Sequence, residues 1–278
     1  MSPNDQLFVE RIVKKSGSSF YWGMKVLENS KKRGMFAIYA FCREVDDIAD
    51  NEGTRDSKEK KLKEWEKKIH LLFNNSVQKS SLLRELSFSI NQFKLKKKDF
   101  MSVIQGMRMD VKKKIQFPYK KDLELYCQRV AVSVGLLSIR IFGIKSSLGE
   151  KYAFSLGMAF QITNIVRDFS EDLEIGRCYI PLELIKKYKV KKNFKLLKNN
   201  PNIQNILQDL LFEANVHFLE SDKLSENFSK KNIIASEVMK LFYRTLHKKM
   251  FKKKIDFNKK IGLNLIDKFF IFVRFTLR

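Results

Sequence analysis

Glycine and proline are scarce in this 278-residue sequence, at 11 and 4 residues. A fold rich in β-turns needs more of both, so their scarcity, beside abundant Leu, Ile, Phe and Lys, favours helices. Cysteine is scarcer still. Cys42, Cys127 and Cys178 lie far apart and form no C-x-x-C, which excludes a disulfide framework or a cysteine zinc site and fits a reducing cytoplasm. No run of about 18 apolar residues is present, so no membrane-spanning helix is expected. Met1 to Lys15 carries Asp5 and Glu10 and lacks the apolar segment of a signal peptide. His70, His217 and His247 fall on charged helical stretches outside any motif and are expected in solvent. Acidic residues are the minority, 31 against 55 Lys and Arg, for a net charge of +24. The lysines are dispersed, and no helix-turn-helix, zinc-finger or RNA-recognition signature accompanies them. The basicity is therefore read as compositional drift together with attraction for anionic substrates and lipid headgroups, not as nucleic-acid binding.

Two short acidic stretches organise the chain. The first is Tyr39-Ala-Phe-Cys-Arg-Glu-Val-Asp-Asp-Ile-Ala-Asp50; the second runs from Gly157 to Asp172. On helices, Tyr39, Arg43, Asp46 and Asp50 share one face, and Gly157, Gln161, Asn164, Asp168 and Asp172 share another. The remaining sides are apolar. Carboxylates set in such surroundings must be paired, protonated or bound to a cation. Two unit charges 4 Å apart interact by roughly 4 kcal/mol at an effective dielectric near 20, so two facing Asp clusters need cations between them. Oxygen ligands with one amide suit Mg²⁺, which keeps waters and shares its shell with phosphates. A diphosphate held by bridging Mg²⁺ is the chemistry this pattern implies.

The rest reads as helical scaffolding, one all-α domain of about ten helices over residues 1–278. Residues 5–15 give an amphipathic helix with Leu7, Phe8, Ile12 and Val13 inward. Phe20, Tyr21 and Trp22 form an aromatic cluster suited to core or to capping a cavity. Residues 57–74 and 80–93 are surface helices. Asp99 is placed to N-cap a helix reaching Gly106-Met-Arg-Met-Asp110. Residues 122–142 form a long helix with Val130, Val134, Leu137 and Ile141 buried, ended by Gly143. The second motif helix spans about 148–173. Residues 186–200 read as a surface loop, followed by helices over 201–226 and 232–254. Residues 261–278 make an amphipathic helix with Ile261, Leu265, Phe269, Phe270 and Val273 on its apolar side. Lys260, Lys268, Arg274 and Arg278 flank it.

These stretches resemble the squalene and phytoene synthase family of head-to-head prenyltransferases. The resemblance rests on Ser19-Phe-Tyr-Trp22, Tyr39 to Asp50, Gly106 to Asp110, Tyr126-Cys-Gln-Arg-Val-Ala131 with Val134-Gly135, Gly157 to Asp172, and Gly176-Arg-Cys-Tyr-Ile-Pro181. Within the family, the first two are most similar to bacterial presqualene diphosphate synthases. The resemblance implies an isoprenoid synthase fold, a single helical bundle around a central cavity. It implies two prenyl diphosphate substrates, with Asp46, Asp50, Asn164, Asp168 and Asp172 holding Mg²⁺. Ser19, Phe20, Arg43, Asp47, Gln161, Arg167 and Arg177 fall at substrate-binding positions, and Tyr126 and Tyr243 near the reacting carbons. Val132 stands where relatives often have Gly and is expected to narrow the cavity or shift a helix. Lys259 and Lys260 stand where an Arg is usual. The implied reaction joins two farnesyl diphosphates into presqualene diphosphate. The alternatives are phytoene synthesis from geranylgeranyl diphosphate and a non-catalytic scaffold, which the retained Asp set disfavours. A cytoplasmic protein with peripheral membrane contact is expected.

Overall fold

The computed structural model describes residues 3–18, 20–74, 76, 79–112, 115–252 and 255–276, the side chains of 3, 272 and 274–276 excepted. Among these residues the architecture is helical, with no strand beyond an isolated parallel bridge between Gln116 and Cys178. In chain order the helices are α1 (Pro3–Lys15), α2 (Phe20–Lys25), α3 (Asn29–Asp50), α4 (Arg55–Phe73), α5 (Ser81–Phe93), α6 (Lys97–Lys112), α7 (Lys120–Cys127) and α8 (Ser133–Ile141). There follow α9 (Ser147–Arg167), α10 (Phe169–Glu174), α11 (Leu182–Lys187), α12 (Phe194–Leu197), α13 (Ile203–Ser225), α14 (Lys230–Lys252) and α15 (Leu265–Thr276). The reading of about ten helices thus undercounts, because several long stretches are broken.

α9 is the hub. Thirteen of its 21 residues are buried, so it is apolar nearly all round, as a helix packed on every side must be. It lies along α13 and also meets α7, α8 and α14. Its start is fixed by Ser146, whose hydroxyl accepts from the Gly149 N–H at 3.2 Å. Two apolar cores flank it, one centred on α3 to α6 and the other on α9 to α13.

The stretch expected as one helix over 122–142 contains a π-helical segment, Gln128–Val132, between α7 and α8. Two motif glycines pack against this segment. A Cβ on Gly157 would lie 2.8 Å from the Val132 Cα and 2.9 Å from its N, whereas one on Gly106 would meet chiefly the Val130 Cγ1, at 2.6 Å. Val132 itself is buried in the second core and is not a cavity-lining residue, so of the two effects expected of it, narrowing the cavity or shifting a helix, the first does not occur. Backbone yields less than a methyl group. Gly157→Ala should therefore cost about 1–3 kcal/mol of stability and Gly106→Ala less, measurable by denaturant unfolding. Equal stability of Gly157→Ala and wild type would contradict this packing.

Other expectations are corrected by contacts distant in sequence. On α1, Leu7 and Phe8 are exposed while Val9 and Val13 are buried in the first core and Asp5 beside them is bound bidentately by Arg84 on α5 at 2.7 and 2.8 Å. Asp99 does not cap α6; it lies buried in the first turn. Val130 and Val134 are only partly buried, since they face a cavity. Residues 186–200 are not a simple surface loop: they hold α12, and Val190 and Leu197 are buried. His247 is buried, its Nε2 2.8 Å from the Leu211 carbonyl, and burial holds its pKa down. α15 turns Ile271 inward onto Val238 and Phe242 and leaves Leu265, Ile266, Phe269 and Phe270 exposed.

Candidate active site

A cavity of about 270 Å³ runs between α2, α3, α8, α9 and α14. Its wall is mostly apolar: Met35, Ile38, Val134, Leu156, Phe160 and Met239 are among the lining residues. Aromatic rings gather at one end. Tyr243 stacks on Phe160 with centroids 4.1 Å apart, and Phe20 meets Tyr243 edge-on at 6.0 Å. Gln161 and Asn164 line the same end. Phe20 lines the cavity, whereas Trp22 is exposed. Ser19 lies outside the described residues.

The Asp-rich helix ends meet beside this aromatic end. α3 stops at Asp50, and α9 stops at Arg167 because Asp168 leaves helical geometry (φ −95°, ψ 10°) before α10 resumes. The second motif is therefore two helices, not the single one expected over 148–173. The turn after α10 crosses back to α3. Gly176, at φ +77°, makes the reversal. Arg177 then reaches Asp50 with Nη1 at 2.8 Å. Its backbone N–H donates to the Asp172 carbonyl at 2.7 Å, so one residue ties both motifs together. Cys178 exchanges backbone bonds with Ile115 and Phe117, which fixes the turn.

The carboxylates are incompletely neutralised. Asp168 is bound bidentately by Arg167 at 2.5 and 2.6 Å. Arg43 lies 2.7 Å from Asp47 and 3.6 Å from Asp46. Burial, and then the neighbouring Asp50, push the Asp46 carboxyl up to about 7. Protein encloses Asp46 on most sides, yet 43% of its side chain still meets water, which tempers that shift. Burial, and then Asp168, push Asp172 up to about 7 as well, with Asp50 contributing across the gap. Asp47 instead faces a groove toward α4 with Lys58, Lys61 and Trp65, away from the cavity.

Sequence reasoning assigned no role to Asp110 or Tyr179. Asp110, at the end of α6, accepts from Tyr179 at 2.9 Å and from Tyr126 at 3.0 Å, and the two rings stack at 5.0 Å. Burial pushes Asp110 up to about 6, while nearby Arg177 pulls it down. Tyr126 is thus placed beneath the carboxylate cluster and is not a cavity-lining residue. Tyr243 does line the cavity, facing Asn164 and Arg167, and burial raises its phenol pKa. No sequence signal set Asp110 apart, since α6 also carries Lys97, Lys98, Asp99, Arg108 and Lys112; Arg108, the buried charge nearest it in sequence, turns away to Glu59 and Glu66.

The donor set fits a hard divalent cation. The buried Oδ1 of Asn164 has no hydrogen-bond partner, and the Asp46 and Asp172 carboxyls stand raised by burial first and by neighbouring carboxylates next. Among the described residues no three Asp, Glu, His or Cys side chains converge into a ready-made metal site. An ion that completes its shell with water and substrate phosphate oxygens needs no such closed cage.

Comparison with known proteins agrees with this geometry. The family model for squalene/phytoene synthase matches residues 13–265. A presqualene diphosphate synthase from Zymomonas mobilis is 39% identical over 251 residues, covering 87% of this chain and 85% of that one. A 15-cis-phytoene synthase from Synechocystis is 32% identical over 182 residues, 61% of this chain and 53% of that one. The crystal structure of a dehydrosqualene synthase superposes with a TM-score of 0.85 at 27% identity, covering 99% of this chain and 96% of that one. By the family model over residues 13–265 and the relative 39% identical over most of its length, the chain belongs to the squalene/phytoene synthase family.

Proposed function

We propose that the protein joins two farnesyl diphosphates head to head, giving presqualene diphosphate and free diphosphate. The observation that carries this is the Arg177–Asp50 pair, which draws two Asp-rich helix ends together at the aromatic end of an apolar cavity. Asp46, Asp50, Asn164, Asp168 and Asp172 are the residues that would hold Mg²⁺. When bound, Mg²⁺ supplies the charge neutralisation that lets a diphosphate leave an allylic carbon.

The chain's own residues account for the rest. Arg177 and Arg167 add fixed positive charge where the leaving group's charge develops. In the first molecule the C–O bond breaks, its electron pair departs with diphosphate, and an allylic cation remains. Phe20, Phe160 and Tyr243, which line the cavity, supply aromatic surroundings for that cation and exclude the water that would quench it. The double bond of the second molecule attacks the cation, and loss of one proton closes a cyclopropane. Burial keeps the Tyr243 phenol protonated, so the departed diphosphate is the proton acceptor at hand. A scaffold role would leave this gathering of incompletely neutralised carboxylates without a purpose.

The test is incubation with farnesyl or geranylgeranyl diphosphate and Mg²⁺, followed by product identification. The expected product is presqualene diphosphate from the farnesyl substrate; phytoene or prephytoene diphosphate formed in preference would overturn the assignment.

Peripheral membrane contact through α15 belongs to the same proposal. Among the described residues no helix is long and apolar enough to cross a membrane. Leu265, Ile266, Phe269 and Phe270 are 82%, 65%, 62% and 59% exposed, and Lys260 and Lys268 are exposed beside them. Arg278 and the side chain of Arg274 lie outside the described residues. The α15 start is held by reciprocal bonds between Asn264 and Asp267, both 2.8 Å, and by Lys249 on Asp267. A basic-flanked apolar face supports reversible insertion into anionic bilayers, with about 1 kcal/mol from each lysine. Phe269→Ser with Phe270→Ser should lower co-sedimentation with phosphatidylserine vesicles at least tenfold, and wild-type binding should weaken with salt. Equal binding by both proteins would remove α15 as the anchor.

A further inference from the structure

The cavity has a far end as well as a mouth. Along each helix the lining residues most distant from the Asp clusters are Met35 on α3, Tyr152 on α9, and Ala235 and Ser236 on α14, with Phe142 following α8. Tyr152 precedes Asn164 by twelve residues, about 18 Å of helix, and Met35 precedes Asp46 by eleven, about 16 Å. These residues form the floor that an apolar tail meets when its diphosphate sits at the mouth.

Among them Tyr152 is held in a way the others are not. It is 1% exposed, and its hydroxyl lies 2.9 Å from both Glu237 Oε1 and Ser236 Oγ. Its single proton goes to the carboxylate, the stronger acceptor. Glu237 is itself fixed by buried Lys240 at 2.6 Å, and Lys240 also binds Asp222 at 3.0 Å. Arg244 closes the network onto Asp222. Phe228 backs the Tyr152 ring at 5.7 Å, and the Lys240 ammonium lies 5.8 Å over it. Met35, by contrast, is unbranched and adapts its shape. The mechanism above uses none of these polar groups.

We infer that Tyr152, latched by Glu237 and Lys240, is the wall that sets the longest prenyl tail the cavity accepts. This rests on the proposed prenyl diphosphate condensation and adds its size limit. Replacing the ring by a methyl group opens space toward Phe228; adding bulk at Ser236 shortens the cavity from the same end.

The experiment compares kcat/KM for geranyl, farnesyl and geranylgeranyl diphosphates in the full-length protein with Mg²⁺. Tyr152→Ala should raise the geranylgeranyl-to-farnesyl ratio at least about tenfold, the scale on which apolar pockets discriminate size. Ser236→Leu, at a partly exposed position, should lower the farnesyl-to-geranyl ratio at least about tenfold and serves if Tyr152→Ala does not fold. Circular dichroism checks the helical fold of each. Unchanged ratios in a folded variant that still condenses farnesyl diphosphate would overturn the wall. A wild type that condenses none of the three would overturn the functional reading itself, and the wall with it.

Discussion

Asp50→Asn and Asp168→Asn should each lower turnover roughly 10³-fold, about 4 kcal/mol in the barrier. Asp46→Asn and Asp172→Asn should follow, because in the proposed function all four carboxylates would serve one diphosphate. The fold should survive, since Asn is nearly isosteric. For Asp46 and Asp172 the metal-free protein should become no less stable. Their carboxyls are raised to about 7 in the folded protein, by burial first and by Asp50 and Asp168 next. A carboxyl raised on folding contributes most below its unfolded value near 3.8, and that contribution is lost as pH rises through about 7. Without Mg²⁺, Asp172→Asn should therefore lose less thermal stability than wild type between pH 4 and pH 7, on the scale set by those two values. Steady-state kinetics and thermal melts with and without EDTA check both halves. Near-wild-type turnover in the Asp50 and Asp168 variants would end the two-motif account.

Arg177→Met should be nearly as damaging, for a different reason. The Arg177 side chain is 11% exposed, and its charge lies among Asp50, Asp110 and Asp172. Removing it leaves three carboxylates without their shared counter-charge and releases the turn from α3. Breaking a buried pair costs about 3–5 kcal/mol, and the 45% exposure of Asp50 reduces that to about 1–3 kcal/mol. Activity should fall roughly 10²–10³-fold as a charge at the leaving group is lost. Arg177→Lys keeps the charge without the planar fork and should fall between. Urea unfolding and kcat/KM with farnesyl diphosphate measure the two effects; a stable, active Arg177→Met would show that the turn does not join the motifs.

Much of the site was legible because helical spacing is local. Asp46 and Asp50 share a face of α3, and Gln161 and Asn164 share a face of α9, whatever surrounds them. Contacts between distant residues were not legible. Nothing in Arg177 names Asp50 as its partner 127 positions away. Asp110 looked like an ordinary helix-end charge until Tyr126 and Tyr179 converged on it. The π-helical segment 128–132 keeps an ordinary helical pattern, and the glycines that pack against it, Gly106 and Gly157, lie on other helices. Asp168 breaks α9 inside a sequence whose periodicity runs on unbroken. α1 buries Val9 and Val13 with Asp5 on the face that meets Arg84, and leaves Leu7 and Phe8 outside. On α15 the direction of the apolar face was open, because the cluster that receives Ile271 is small: Val238 and Phe242 with partly buried Leu241 and Leu263.

The central claim is that the two Asp-rich helix ends form one Mg²⁺-dependent diphosphate site. It is tested most directly by calorimetric binding of farnesyl thiolodiphosphate, an analogue that resists ionisation. Wild type should bind it with Mg²⁺, and affinity should fall at least about tenfold when EDTA replaces the metal, or when either Asp50→Asn or Asp168→Asn is introduced, about 1.4 kcal/mol in each case. Undiminished binding in EDTA, or loss in one variant with full affinity in the other, would contradict a site shared by both motifs.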